Sequence, residues 1–413
     1  MIALMNGTVI PATGQEPTVA NVLLEDGRIV DIGTNVRPHG NAVEIDASGM
    51  YLMPGMIDSH VHMAMNGGVE SSTSVETTDA YAVLRAARDM ARTLGAGFTT
   101  VRDLGGRNGM EFALRDAIRD GVVPGPRLLL AGSLISMTTS GPLMYPGMYY
   151  VADGCDEVRR AARTQLARGA DVVKVFATGA AFCEGEDPRW TQLDEDEIRV
   201  AVQEAHKQGK PAAAHAEGVE GIRNAVVAGI DTIEHGDFLC EDDETIELMR
   251  SRGTILTPTM LLYDTVLQHL DDEAIPAFVR QNCEWIAPIN RRSVQTARDA
   301  GIPIALGTDA GPPYHHHGGN ARELALLASA GLTNEEVLES ATRVAARAVG
   351  KADELGTLEV GKCADVLVLG GNPLDDLDVL IEPASFQWIL LGGRIVGGTA
   401  AERARTLHWL TTA

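Results

Sequence analysis

The sequence predicts an α/β fold in which eight strands alternate with helices between two terminal segments of β type. From Met56 onward, short apolar runs of strand length alternate with amphipathic stretches of helical period, such as Asp156–Arg168 and Asp194–Gln208. Strands separated by helices pair in parallel, and eight such units form a closed barrel. The prediction is a (β/α)8 TIM barrel over residues 54–352. Its strands are expected at 56–62, 98–103, 127–133, 171–177, 211–216, 231–235, 254–259 and 303–309.

Segments of β type stand at both ends of the chain. Residues 1–53 hold short strand-like runs divided by turn pairs such as Asn6-Gly7; the runs are 2–4, 19–24, 28–32 and 42–45. After a last predicted barrel helix at 334–349, strand-like runs return at 364–369 and 388–396. The N-terminal run of strands is too short to bury a good core alone. We therefore expect residues 1–53 and 353–413 to form one small β-sandwich domain beside the barrel.

Composition excludes several classes of partner. The net charge of the 413-residue chain is −23, which argues against nucleic acid and anionic membranes because both need cationic surfaces. The five cysteines are scattered and odd in number, with no Cys-X-X-Cys, so we expect no disulfide framework and a cytoplasmic location. We identify neither a signal peptide nor an apolar run of about 18–20 residues, and therefore expect a soluble protein.

The chemistry is predicted from polar residues at the carboxyl ends of the barrel strands. His60 and His62 end the first strand two residues apart, so their imidazoles lie on one face and form half of a metal site. Active sites of such barrels lie at the face where the carboxyl ends of the strands meet. Although a single strand-end histidine is usually structural, the whole set suits a zinc-like divalent centre. Its members are His60, His62, Lys174, His215, His235 and Asp309.

Lys174 stands within the apolar strand Val-Val-Lys-Val-Phe. A lysine is almost never fully buried without a partner. An inward lysine between metal-binding strands could be carboxylated by carbon dioxide, which would give a carbamate able to bridge two metals. Two alternatives to a metal-binding role stay open at this point. Lys174 would then have only a structural role, and Asp309 would cap the end of the eighth strand.

These motifs resemble those of the amidohydrolase superfamily, in particular its imidazolonepropionase-like and Xaa-Pro-dipeptidase-like branch. The motifs are Pro54–His62, Val173-Lys-Val175, Ala214-His-Ala216, Ile233-Glu-His235 and Gly307-Thr-Asp309, with 356–368 similar to that family's return to its small β domain. The resemblance implies two divalent metals, with zinc as the expected ion. His60, His62 and Asp309 would hold one and His215 and His235 the other, with carboxylated Lys174 and a hydroxide bridging them. A small-molecule substrate and a homo-oligomer are further expectations.

The predicted reaction is metal-assisted hydrolysis of a C–N bond, with Asp309 taking the proton of the hydroxide and delivering it to the leaving nitrogen. Dipeptidase-like relatives commonly carry Gly-Gly-His after the third strand and a tyrosine after the fifth-strand histidine. Here the matching stretches contain Ser140 and Glu217. A glutamate would repel a substrate carboxylate, which favours a neutral amide, carbamate, urea or lactam, or a substrate with a cationic group. Tyr145 and His316 are further candidate substrate contacts.

Three alternatives accompany this prediction. The first is a dipeptidase of Xaa-Pro or Xaa-Arg type, or an N-acyl amino acid hydrolase. The second is a mononuclear deaminase, or an imidazolonepropionase-like cyclic amide hydrolase, in which Lys174 is structural. The third is a non-catalytic binding homologue, which the presence of all six candidate ligands disfavours.

Overall fold

The computed structural model describes residues 1–68 and 77–400. Its strands are β1 (Ile2–Val9), β2 (Thr18–Glu25), β3 (Arg28–Gly33), β4 (Val43–Asp46), β5 (Tyr51–Pro54), β6 (Met56–Val61), β7 (Phe98–Asp103), β8 (Arg127–Leu130), β9 (Leu134–Ser136), β10 (Tyr149–Val151), β11 (Val173–Phe176), β12 (Ala212–Ala216), β13 (Thr232–His235), β14 (Ile255–Thr257), β15 (Val366–Leu369), β16 (Phe386–Leu391) and β17 (Arg394–Gly397). Its α-helices are α1 (Asp79–Gly95), α2 (Met110–Arg119), α3 (Gly141–Met144), α4 (Cys155–Ala167), α5 (Glu195–His206), α6 (Val219–Ala228), α7 (Asp243–Arg252), α8 (Met260–Leu267), α9 (Ala277–Asp299), α10 (Arg322–Ser329), α11 (Asn334–Ser340) and α12 (Arg343–Ala348).

The two chain ends share one sheet. Its strand order is β17-β16-β15-β5-β1-β2-β3, with β4 paired to β1. Alternating residues of these strands form a buried apolar cluster that includes Leu4, Val22, Leu24, Ile29, Leu52, Val366, Val368 and Leu390. The sequence pattern predicts a strand at 56–62 but none at β5, which only Gly55 separates from β6. The shared sheet agrees with the expected pairing of the termini, and the sandwich architecture stays a prediction.

The central strands all pair in parallel, as strands separated by helices should. One sheet has the order β6-β7-β8 and another has the order β10-β9-β11-β12-β13-β14. The amide of Asp171 donates to the carbonyl of Leu130 at 2.7 Å, which links the end of β8 to the segment before β11. Isolated parallel bridges join Val61 to Ala310 and Leu256 to Ile304, so residues 304–310 contact both β6 and β14.

The predicted eighth strand, 303–309, is not a regular strand. The amides of Thr308 and Asp309 both turn toward the carbonyl of His60, at 3.2 and 2.7 Å, and Asp309 has a φ of 58°. Such a backbone cannot continue a ladder, because successive amides must alternate in direction along a strand. The segment therefore ends by presenting Asp309 beside His60.

Two further differences have local causes. The predicted run 127–133 ends as a strand at Leu130, because Gly132 has a φ of 74° and turns the chain into β9. The predicted helix 334–349 is divided into α11 and α12, because Thr342 between them has non-helical dihedrals of −129° and −92°.

Helix starts follow the capping chemistry visible in the sequence. At α5, Asp194 accepts from the amide of Glu197 at 2.9 Å, and the Glu197 carboxylate accepts from the amide of Asp194 at 2.8 Å. The same reciprocal pair, Thr333 with Glu336, begins α11. These bonds satisfy amides that have no partner within the helix. Among the described helices, none combines the length and apolar character needed to cross a membrane.

Candidate active site

The six predicted ligand residues line a single cavity at the carboxyl ends of the parallel strands. His60 lies near the end of β6, and His62 follows that strand directly. Lys174, His215 and His235 lie on β11, β12 and β13, and Asp309 stands next to Ala310, which bridges to Val61. The structure thus brings together residues that are up to 249 positions apart in sequence (309 − 60).

Short distances connect the members of this set. The Asp309 Oδ1 atom lies 3.3 Å from His62 Nε2 and 3.6 Å from His60 Nε2. The His60 ring centroid is 5.1 Å from that of His235, which is 4.6 Å from that of His215. His60, His235 and Asp309 each offer one ligand atom, all within 4.8 Å of one another. Imidazole nitrogens and a carboxylate oxygen at this spacing suit a divalent ion.

Burial lowers the pKa of the histidines and of Lys174 in this set, which favours their neutral forms. Desolvation lowers the pKa of His215 to about 4 and the pKa values of His60 and His235 well below their usual range. These imidazoles are therefore neutral at pH 7, as a metal ligand must be. Burial also lowers the pKa of Lys174 to about 8, which increases the fraction of neutral amine.

Two polar atoms in the cluster lack protein partners. Lys174 Nζ and Asp309 Oδ1 are buried without a hydrogen bond to any described residue. Buried polar groups are normally hydrogen-bonded, so unpaired ones need a partner of another kind. Burial raises the pKa of Asp309 to about 6, which leaves it mostly ionised at pH 7. The donor set and its two unpaired atoms fit bound divalent metal.

Behind His60 lies an ion pair that the sequence analysis did not identify. The His60 Nδ1–H donates to Glu234 Oε2 at 2.9 Å, and Arg102 Nη2 donates to the other oxygen of Glu234 at 2.9 Å. This bond fixes the tautomer of His60, so that Nε2 faces Asp309 with its lone pair. The available signal was a charged residue within each of two apolar strands, β7 and β13.

A second buried carboxylate holds the Asp309 segment against β6. Asp58 Oδ2 accepts from Thr308 Oγ1 at 2.7 Å and from Asn320 Nδ2 at 2.6 Å, while Oδ1 accepts from the amide of Thr308 at 3.2 Å. Asp58 lies two residues before His60, within the motif that opens the barrel. Its contacts indicate that it positions Asp309 rather than binding substrate.

The rest of the cavity wall is mainly apolar and aromatic. Phe176 stacks on the His215 ring at 4.4 Å with an interplanar angle of 13°, and Tyr149 contacts Phe176 with centroids 5.4 Å apart. Further wall residues are Met65, Leu134, Met148, Ala180, Ala181, Phe182, Cys183, Leu262 and Pro312. Among the described residues that line the cavity, Lys174 is the sole lysine or arginine. A substrate carboxylate would find no guanidinium in this part of the wall.

Two of the four predicted substrate contacts line the cavity, and two do not. Tyr145 and Glu217 line the cavity, whereas Ser140 and His316 are not among the described residues that do. The Ser140 hydroxyl donates to the carbonyl of Glu184 at 2.7 Å, and His316 is exposed with Nδ1 donating to the carbonyl of Asn66 at 3.0 Å. Both side chains therefore form hydrogen bonds between loops. Of the neighbouring histidines, His317 is buried and donates through Nε2 to the carbonyl of Met65 at 3.1 Å.

Glu217 is held inside the wall. Its Oε1 accepts from the amide of Ala181 at 3.1 Å and lies 3.1 Å from His215 Nε2, while its Oε2 is buried without a hydrogen bond to any described residue. Burial raises the pKa of Glu217 to about 8, so it is mostly neutral at pH 7. The expected repulsion of a substrate carboxylate assumed an ionised Glu217. The stronger argument for a neutral substrate is the scarcity of cationic side chains in the wall.

Comparison with known proteins identifies relatives along most of the chain. A model of the amidohydrolase family matches residues 51–396. The chain is 31% identical to the ochratoxinase of Aspergillus niger, over 95% of this chain and 86% of that protein. It is 26% identical to the imidazolonepropionase of Caldanaerobacter subterraneus subsp. tengcongensis, over 86% of this chain and 85% of that protein. A solved prolidase structure with bound N-methylphosphonate-L-proline superposes with a TM-score of 0.87 at 30% identity, covering 95% of this chain and 98% of the other.

These relatives imply an α/β TIM-barrel fold, in agreement with the parallel pairing of the central strands. They also support a hydrolase that acts on C–N bonds of small molecules.

Proposed function

The chain belongs to the amidohydrolase family, and from this premise we propose that it is a binuclear, metal-dependent hydrolase of a neutral C–N compound. The observation that carries the proposal is the position of Lys174 in one cavity with four neutral histidines and Asp309. We propose His60, His62 and Asp309 as ligands of one metal, and His215 and His235 as ligands of the other. Zinc is the proposed ion, because imidazole and carboxylate ligands suit it.

Lys174 is the proposed bridging ligand, as its carbamate. Carboxylation requires the neutral amine, and the lowered pKa of Lys174 supports its formation. The unpaired Nζ atom lies among the histidines with no described hydrogen-bond partner to compete for it. Carboxylation would add two oxygens to the lysine nitrogen and give the side chain a negative charge. An anionic group beside two cations is favourable in a buried site.

In the proposed mechanism, the metals when bound would lower the pKa of water and polarise the scissile carbonyl. Asp309 takes the proton of the attacking water and gives it to the leaving nitrogen. Its Oδ1 has no hydrogen bond from a described residue, so it is free to accept that proton. The Arg102–Glu234 pair holds His60, and Asp58 holds the segment that carries Asp309.

The proposed substrate is an amide, carbamate, urea or lactam without a carboxylate near the scissile bond. The apolar wall around Phe176 and Tyr149 supports this class of substrate. So does the charge of the wall, because Lys174 is the one cationic residue among the described residues that line the cavity. A dipeptidase of Xaa-Pro or Xaa-Arg type, or an N-acyl amino acid hydrolase, is the second candidate. The similarity to prolidase and ochratoxinase supports it.

A mononuclear enzyme is the third candidate, and one observation favours it. Among the residues that the structure describes, His60, His235 and Asp309 are the group whose ligand atoms all lie within 4.8 Å of one another. Such a triad would hold a single ion without Lys174. A deaminase or a cyclic amide hydrolase would then be the expected activity. The metal stoichiometry distinguishes this candidate from the first.

For the architecture, we propose that residues 304–310 complete a closed eight-stranded barrel over 54–352. The single bridges from this segment to β6 and β14 support closure. We further propose that 1–53 and 353–413 form a small β-sandwich domain, which the shared terminal sheet supports. A cytoplasmic location and assembly into a homo-oligomer complete the proposal. All five cysteines are free thiols, which supports a reducing compartment.

The substrate proposal is tested with matched compounds and the zinc-loaded protein. N-acetylphenylalanine and N-acetylphenethylamine share the scissile amide and the aromatic ring and differ only by the carboxylate. We expect kcat/KM to be at least about tenfold higher for the compound without the carboxylate. Phenyl carbamates, phenylureas and lactams extend the panel, and Asp309→Asn serves as the blank. Turnover confined to compounds with a carboxylate would instead support the dipeptidase or N-acyl amino acid hydrolase.

A further inference from the structure

Two loops contribute a large part of the cavity wall. The first wall loop, 137–148, joins β9 to β10, and the second wall loop, 177–194, joins β11 to α5. The cavity-lining residues on these loops are Tyr145, Met148, Ala180, Ala181, Phe182 and Cys183. The register of β9 with β11 is one residue pair in the described part of the chain, Ile135 with Val175. The sheet itself therefore does little to fix the two loops relative to each other.

Glu186, in the second wall loop, accepts hydrogen bonds from both loops. Its Oε1 accepts from the Thr139 hydroxyl at 2.8 Å and from the amide of Gly141 at 3.0 Å, which belong to the first wall loop. Its Oε2 accepts from the amide of Ala180 at 2.9 Å and from Gln192 Nε2 at 3.1 Å, which belong to the second. One carboxylate thus connects the two loops.

The pattern of donors around Glu186 matches a carboxylate and not an amide. An ionised carboxylate only accepts, and its two oxygens offer about four lone-pair positions. Glu186 has four donors within 3.1 Å, two on each oxygen. A glutamine would present an NH2 group to one pair of these donors, so that the bonds to one loop would be lost. Hydrogen bonds to a charged group are also roughly twice as strong as neutral ones.

The proposed metal ligand on the strand next to β11 is held by other contacts. His215 Nε2 donates to the carbonyl of Gly179 at 3.1 Å. The amide of Gly179 donates in turn to the carbonyl of Trp190 at 2.9 Å. Neither bond involves Glu186. Loss of the Glu186 bonds should therefore loosen the wall loops and leave the metal ligands in place.

We propose that Glu186 is a positioning residue that sets substrate specificity, because it holds the two wall loops at the separation that fits an aromatic group of the substrate. This inference rests on the proposed function, since it assumes that the cavity binds substrate. Glu186 itself is not among the described residues that line the cavity. The wall presents the rings of Tyr145, Tyr149, Phe176 and Phe182, and aromatic rings favour offset or edge contacts with another ring.

Two matched substitutions separate the hydrogen bonds of Glu186 from its charge. Glu186→Gln and Glu184→Gln each remove one negative charge from the second wall loop. Glu184 is exposed, and its hydrogen bonds to Ser140 and Met144 are made by its backbone. A difference between the two variants therefore reports the bonds of the Glu186 carboxylate. Thr139→Val removes one of the four donors and is the milder variant if Glu186→Gln does not fold.

The first measurement is amide hydrogen exchange in the purified protein, which does not depend on any substrate. Gly141 and Ala180 donate their amide protons to Glu186. We expect at least one of these amides to exchange about tenfold faster or more in Glu186→Gln than in Glu184→Gln, and about threefold faster in Thr139→Val. Equal exchange in all variants would overturn the proposal.

The second measurement compares two substrates of the zinc-loaded protein, N-acetylphenethylamine and N-ethylacetamide, which share the scissile amide and differ by the phenyl ring. For Glu186→Gln, we expect KM for the phenyl compound to rise at least about tenfold, while kcat/KM for N-ethylacetamide stays within about threefold of its value in Glu184→Gln. The zinc content should not change. An equal loss for both compounds would show a merely structural role and overturn the proposal.

The two ways of failing are distinguishable. Turnover of neither compound by the unchanged protein would refute the proposed function. The exchange measurement would still decide whether Glu186 holds the two wall loops.

Discussion

At the scale of single residues, the site depends on buried charged side chains, and each of these charges is compensated by a partner. Arg102 is fully buried on β7, and its guanidinium donates to the carbonyl of Ser59, the carbonyl of Ala348 and the carboxylate of Glu234. Glu234 is equally buried and joins Arg102 to His60. Removing one member of such a pair leaves the other charge without compensation in a medium of low dielectric constant.

We predict that Arg102→Met destabilises the protein by about 3–5 kcal/mol, because it leaves the charge of the buried Glu234 carboxylate without a cation. Urea unfolding of the metal-free protein measures the change. The same substitution at Arg119, whose side chain is 63% exposed in its pair with Asp116, is the matched control and should cost less than about 1 kcal/mol. Similar costs at the two positions would contradict the buried-pair account.

We predict that zinc affinity falls as the pH decreases, in two stages. Lys174, with a pKa of about 8, must lose its proton before it can be carboxylated, and Asp309, with a pKa of about 6, must be ionised to bind. Affinity should therefore fall as the pH drops through about 8 and more steeply below about 6. His215 stays neutral down to about 4 and contributes little over this range.

Chelator competition at pH 9, 7 and 5 tests this prediction. Asp309→Asn removes the carboxylate that titrates near pH 6, so the steep lower stage should disappear in that variant. Affinity that is constant from pH 9 to pH 5 would show that these two groups are not ligands.

Five of the six proposed ligands could be predicted because each is polar near the end of an apolar run, and Lys174 because it is a charged residue within one. Sequence reasoning did not identify Glu234 and Arg102 as a pair, because their contact joins two strands 132 positions apart. Ser140 and His316 were chosen from loops, and a loop has no periodicity that shows which way a side chain points. Neither is among the described residues that line the cavity.

At the scale of elements, the outer helices are joined by ion pairs that the sequence does not locate. Glu204 on α5 accepts from Arg163 on α4 through both oxygens, at 3.0 Å each, and from Lys207 at 2.8 Å. The Glu204 side chain is only 7% exposed, although Arg163 is 59% exposed. The hydrogen bonds from Arg163 lower the pKa of Glu204 to about 2.

We predict that Glu204→Gln destabilises the protein by about 1 kcal/mol at pH 7, a modest figure because Arg163 is solvated. A carboxyl group whose pKa is lowered by folding stabilises the protein above its unfolded pKa of about 4.3. That contribution is lost as the pH falls through about 2. The cost of the substitution should therefore be similar at pH 7 and pH 5 and smaller at pH 3, as measured by urea unfolding.

The control for this prediction is Glu220→Gln, which changes an exposed glutamate on α6. It should alter stability by less than about 0.5 kcal/mol at each pH. A cost at Glu204 that does not change between pH 5 and pH 3 would contradict the role of the Arg163 bonds.

The existence and order of the elements follow from the sequence, because strand and helix periods differ and Gly or capping residues separate them. The residues at which elements end are harder to predict from the sequence. Thr342 breaks the last barrel helix without a proline or glycine at the break. Residues 303–309 have strand composition, yet their amides bond to His60 and Asp58 in place of a regular ladder.

At the scale of the whole molecule, the terminal sheet and the central strands are joined at the start of β6, the strand that carries His60. β5 belongs to the terminal sheet, and a single residue, Gly55, separates it from β6, which carries His60. A side chain at Gly55 would place Cβ 2.0 Å from Thr99 Oγ1, so the close approach requires glycine. The amide of Gly55 also donates to the carbonyl of Asp365 at 3.0 Å, and Arg127 pairs with the Asp365 carboxylate. Both chain ends thereby support β6, which carries the proposed ligand His60 and is followed directly by His62.

The central claim is a binuclear centre that depends on Lys174, and the zinc content of the purified protein tests it most directly. Elemental analysis should give about two zinc ions per chain for the unchanged protein and for a surface control, Lys207→Ala. Lys174→Ala should lose both ions together, because it removes the proposed bridging ligand. One zinc ion per chain, unaffected by Lys174→Ala, would contradict the claim and favour a mononuclear enzyme built on His60, His235 and Asp309.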